Sequence, residues 1–133
     1  MPDKSLRILI ADAQHFNRLR IERLFNQLGY FRVAPVHSLD ELLPLVEYAG
    51  EPLDLVVVNG VMASEGLDLF SFLADNRQVH HGFIFNEQQA PVPPVAGKVQ
   101  VSQAVLPDLA SITQLMSTVD RRLPFVGTVI SVR

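Results

Sequence analysis

Asp12, Asn59, Asn86 and Leu106 each stand at or near the end of a short apolar or extended run, where a parallel sheet would gather its chemistry. Asp12 closes Arg7-Ile8-Leu9-Ile10-Ala11 and is followed by Ala13, Asn59-Gly60 closes Leu53–Val58, Asn86 closes Gly82–Phe85, and Leu106 precedes Pro107. An acid so placed could hold a hard cation. Mg²⁺, however, usually takes one or two carboxylates together with phosphate oxygens, and Asp12 would have only amides for company. Asn59 carries an amide, which is not a competent nucleophile. Leu106 brings no charge. These positions therefore supply no catalytic residue, and Asp12 is at most a weak metal ligand. Plainer roles also fit: Asp12 capping the helix that follows, and Asn59-Gly60 forming a simple turn through residues that accept positive φ. His80-His81 point in different directions and have no third ligand, so they read as solvated imidazoles rather than a metal site.

The elements that must position these residues follow from periodicity. Four-residue apolar runs without polar alternation, such as Leu55–Val58, are the mark of strands buried on both faces. Helical stripes come between them. Ile21, Leu24, Phe25 and Leu28 make one face of a helix over Gln14–Leu28, and Gly29 stops it. Leu39, Leu42, Leu43 and Val46 make a second stripe behind a Ser38–Glu41 capping box, with Pro44 expected to kink it. Leu67, Leu69, Phe70 and Leu73 mark a third helix over Glu65–Asn76, and Leu109, Ile112, Met116 and Val119 mark the last, opened by Pro107-Asp108. Phe31–Val36, Gly82–Phe85 and Val99–Leu106 supply the remaining extended segments. Pro91, Pro93 and Pro94 disfavour a regular helix between the fourth and fifth strands, so irregular or extended chain is expected there. Alternating strands and helices with short connections imply right-handed crossovers: an α/β, doubly wound parallel sheet flanked by helices.

Composition narrows the function. The net charge is −3, from 11 Lys+Arg against 14 Asp+Glu, which leaves no basic surplus for a phosphate backbone. With no cysteine in the 133 residues, disulfides, thiolate metal sites and cysteine nucleophiles are excluded. No apolar run approaches the roughly 20 residues of a membrane span, and no signal peptide is evident at the start, so a cytoplasmic location is expected.

From about Leu6 to Val119 the chain resembles a response-regulator receiver domain of the CheY-like superfamily. The resemblance rests on Ile8-Leu9-Ile10-Ala11-Asp12, Leu28-Gly29-Tyr30, Asp54-Leu55-Val56-Val57-Val58-Asn59, Glu65-Gly66-Leu67-Asp68-Leu69 and the Leu106-Pro107 step. It implies a flavodoxin-like fold of strand order 2-1-3-4-5, with the fourth helix lost or reshaped here. It also implies a phosphorylation site that this chain has largely lost. Ala13 replaces the second of two adjacent acids, and Asn59 replaces the phosphoacceptor aspartate. Asn86 stands for a hydroxyl residue, Leu106 for a lysine, and Gln103 for an aromatic switch on the fifth strand. The loop near Ala63 is a residue short. A cis bond at Leu106–Pro107 is a further implication.

The expected function is that of a pseudo-receiver: a phosphorylation-independent signalling module of a two-component phosphorelay. It would act by protein–protein contact, without a cofactor and without enzymatic activity. The alternatives are a receiver that still takes phosphate on a non-standard acid, or the N-terminal regulatory domain of a longer response regulator. A flavin-binding module of the same fold would need a phosphate-cradling loop after the first strand, which Asp12-Ala13-Gln14-His15-Phe16 is not. Residues 1–122 form the receiver-like domain, and 123–133 form an apolar tail serving as linker stub, added strand or dimer contact. A homodimer through the last helix, the fifth-strand edge or the tail is expected.

Overall fold

The computed structural model of the protein describes residues 2–63, 68–87 and 97–121. Strand β1 (Ile8–Ala11) leads into α1 (His15–Gln27), then β2 (Val33–Val36), α2 (Leu39–Glu47) and β3 (Leu55–Asn59). A 3₁₀ turn (Gly60–Met62) and α3 (Leu69–Asp75) follow, then β4 (Gly82–Phe85), β5 (Val99–Val101) and α4 (Leu109–Val119). The five strands form one sheet in the order β2-β1-β3-β4-β5, every pair parallel.

The unbroken apolar strands are explained by two cores, one on each face. Ile8, Ile10, Leu55, Val57, Phe83 and Phe85 point to the side covered by Ile21 and Phe25 of α1 and by Ile112, Leu115 and Met116 of α4. Their neighbours Leu9, Ala11, Val56, Val58 and Ile84 point to the side covered by Leu42 and Val46 of α2 and Leu69 and Leu73 of α3. Every residue of β1, β3 and β4 is buried, so no polar alternation appears in them, whereas Ala34 and Pro35 on the edge strand β2 are exposed.

Local chemistry sets the element ends. Gly29 takes φ +101°, and the amides of Gly29 and Tyr30 bond the carbonyls of Asn26 and Phe25 at 3.0 and 2.9 Å. This is a Schellman stop, whose left-handed residue is suited to glycine. Ser38 caps α2 by accepting from the Glu41 amide at 3.2 Å, but only this half of the expected box forms. The Glu41 carboxylate turns to the His37 amide (3.0 Å) and ring (3.1 Å) instead. The helix runs on through Pro44. The complete box belongs to α4, where Asp108 and Ser111 cap each other.

Other expectations need correction. The Leu106–Pro107 bond is trans, since no cis peptide occurs among the described residues. Trans is the ordinary preference of an X–Pro amide. Gln103 does not lie on β5, which ends at Val101; it is exposed in the segment that follows. The proline-rich stretch Pro91–Pro94, the Glu65–Leu67 part of the third helix and the 123–133 tail lie outside the described residues.

Candidate functional site

β1, β3 and β4 deliver Asp12, Asn59 and Asn86 to one end of the sheet, side by side because the strands that carry them are adjacent. Asp12 and Asn59 are buried and Asn86 is half-buried. The Asn59 side chain is oriented by the backbone: its Oδ1 accepts the Val61 amide at 3.0 Å, capping the 3₁₀ turn. That leaves Nδ2 facing Asp12, where it donates to Oδ2 at 2.9 Å. Asn86 Nδ2 donates in turn to Asn59 Oδ1 at 3.3 Å. A chain of amide donors thus runs from Asn86 through Asn59 and ends on the carboxylate of Asp12.

Two residues that sequence reasoning missed complete the surroundings of that carboxylate. Asn17, in the first turn of α1, donates to Oδ2 at 3.2 Å. Arg18 donates to the backbone carbonyl of Asp12 at 2.7 Å. The capping role anticipated for Asp12 is present: its Oδ1 accepts the Gln14 amide at 2.8 Å, while Gln14, the formal N-cap, makes no side-chain cap bond. Asp12 therefore has three donors on its two oxygens, and a cation would have to displace neutral amides to reach it. Asn17 and Arg18 had a faint sequence signal, as polar residues one helical turn beyond a strand-end acid.

The turn expected at Asn59-Gly60 takes another form. Asn59 is extended at φ −75°, and the positive φ falls on Asn86 at 56°. Gly60 answers a close approach instead, because a Cβ there would lie 2.7 Å from Glu87 Oε2 and 3.2 Å from the Asn86 carbonyl. Glu87 thus places a carboxylate against the turn beside the Asp12–Asn59 pair, a feature no motif announced. Ala13 is exposed and contributes no group to the network described. Leu106 does not reach into the amide chain as a lysine would be asked to; it packs against the core on the α1–α4 face. His80 pairs with Asp54 (3.4 Å) at the opposite end of the sheet, and no group of three or more potential metal ligands occurs among the described residues.

The fold has the architecture of receiver domains. Among the solved structures that share it are these three. A receiver domain (CheY-like) from Methylobacillus flagellatus aligns over 86% of this chain and 99% of its own, with TM-score 0.62 and 14% identity. The N-terminal domain of a response regulator/sensory box/GGDEF three-domain protein from Carboxydothermus hydrogenoformans aligns over 96% and 99%, with TM-score 0.58 and 16% identity. The receiver domain of the hybrid histidine kinase CckA aligns over 84% and 96%, with TM-score 0.60 and 18% identity. At these identities the likeness is one of fold. No protein-family model matches the sequence, and no curated protein is significantly similar to it.

Proposed function

We propose that this chain is a receiver-like module of a two-component system that signals by protein–protein contact, is not phosphorylated and catalyses no reaction. The observation that carries this reading is the 2.9 Å bond from Asn59 Nδ2 to Asp12 Oδ2. Where phosphoryl chemistry wants a second carboxylate and a metal beside Asp12, position 59 offers an amide that donates to it. Acid–acid repulsion, which a bound cation would relieve, is replaced by a neutral interaction satisfied within the fold. The surface around this end suits contact: Phe16, Val61 and Val105, from the loops and first helical turn after β1, β3 and β5, are 65%, 62% and 66% exposed. Self-association belongs to the same proposal, because among the described residues the short β5 has a strand neighbour on one side only. Light scattering should then show a dimer at high micromolar concentration, and a monomer would contradict it.

The placement of Glu87 favours one second reading, in which this acid takes the phosphoryl group. Mg²⁺ titration followed through backbone amide shifts tests the first reading and bears on the second. The proposed function predicts no saturable shift at Asp12, Asn59 or Asn86 at millimolar Mg²⁺. Saturable shifts there would show a working cation site and contradict it.

A further inference from the structure

The end of the sheet opposite Asp12 and Asn59 holds an open cavity of about 640 Å³. Its walls come from the segments that enter β1, β3, β4 and β5 and from the end of α4. Its cations are Arg77, Lys98 and Arg121, and its acids Asp3 and Asp54. Lys98 is spoken for: its Nζ donates to the carbonyls of Asn76 and Val79 at 2.8 and 2.7 Å. The acids are engaged too. Asp54 accepts the Arg7 amide at 2.8 Å and meets His80 at 3.4 Å, while Asp3 accepts the amide and hydroxyl of Ser5 at 3.1 and 2.6 Å. Arg77 and Arg121 differ: both are exposed, and among the described residues neither has a hydrogen-bond or ion-pair partner. Two unpartnered guanidiniums thus share one cavity with the half-buried Leu6, while the other apolar wall residues, Val79 and Val119, are buried behind it. A guanidinium fork matches phosphate oxygens, and the volume lies in the range of small-ligand sites, roughly 300–1,000 Å³.

We propose that this cavity binds a phosphorylated small molecule of nucleotide size, its phosphates held by Arg77 and Arg121 and its ring laid on Leu6. Burial first, then His80, Arg121 and Lys98 hold the imidazole of His81, on the same wall, below its ordinary value, against the opposing effect of Asp54. Such a ligand would offer an input independent of the Asp12 end of the sheet.

The test is titration of the ¹⁵N-labelled protein with ADP, and separately with inorganic phosphate, in chloride buffer. ADP should shift the amides of His80, His81, Lys98 and Arg121 saturably, and phosphate alone should bind far more weakly for lack of an apolar part. The double variant Arg77→Gln/Arg121→Gln should weaken ADP binding by roughly a hundredfold, about tenfold for each guanidinium removed. Any of several results would overturn the proposal: no saturable shift, equal affinity for inorganic phosphate, unchanged affinity in the double variant, or shifts confined to Asp12 and Asn59. Only the last would also count against the absence of phosphoryl chemistry at that end.

Discussion

Asn59 donates a hydrogen bond to Asp12, 47 residues earlier in the chain, and a single oxygen-for-nitrogen exchange would turn that attraction into repulsion. The Val61 amide holds Oδ1 of Asn59, so an aspartate at this position would have to aim its second oxygen at Asp12 Oδ2.

Asn59→Asp is therefore expected to destabilise the protein at neutral pH by about 1–3 kcal/mol, the cost of a buried acceptor losing its donor. Like charges so close raise the pKa of one carboxyl. A group with a raised folded-state pKa stabilises below its unfolded value, and that contribution is lost as pH rises through the folded value. The variant should thus lie nearest the wild type in acid and fall away toward neutrality, which urea unfolding at several pH values would show. Phosphorylation should stay near background, since Leu106, half-buried and packed against the core, supplies no cation to the site, and one such loss costs about 10²–10³ in rate. The triple change Ala13→Asp, Asn59→Asp and Leu106→Lys should exceed the single variant.

The Tyr30 hydroxyl donates to Asp120 Oδ2 at 2.5 Å, and the Asp3 amide donates to the same oxygen at 2.9 Å. This contact ties the α1–β2 turn to the end of α4. Tyr30→Phe should cost about 1–3 kcal/mol in denaturant unfolding. Burial and the Asp120 carboxylate drive the Tyr30 pKa well above 10.0. The stability linked to it is full below pH 10 and is lost as pH rises toward the folded-state value. The Phe variant should lack that alkaline decline.

Acid should weaken the fold in two stages. The His81 pKa is lowered from 6.5, chiefly by burial, so the unfolded chain binds more protons and stability falls as pH drops below that value. Asp68 and Asp108, lowered from 3.8 by the Ser71 and Ser111 donors they cap, add a loss at lower pH. Thermal melts of His81→Gln should show the second stage without the first.

How much of this could be read from the sequence depends on the range of the interaction. The parallel sheet was legible because burial on both faces writes itself into consecutive residues such as Leu55–Val58, and the Gly29 stop because its geometry is local. The positions of Asp12, Asn59 and Asn86 followed from the strands that end at them. Their mutual orientation did not, because it depends on which amide atom the Val61 backbone selects. Glu87 was missed because its closeness to Gly60 arises only when β3 and β4 pair, and Tyr30–Asp120 because 90 residues separate them. The cis bond at Leu106–Pro107 and the switch position at Gln103 came from resemblance alone, and the chain departs from both. The Ser38–Glu41 pattern matched, but His37 offered Glu41 a better partner.

The most direct test of the central claim is the intact mass of the wild-type protein after incubation with acetyl phosphate and Mg²⁺. With an amide at position 59 and Asp12 occupied by neutral donors, the mass should be unchanged. A stoichiometric gain of one phosphoryl group within minutes, on Glu87 or any other acid, would contradict the account.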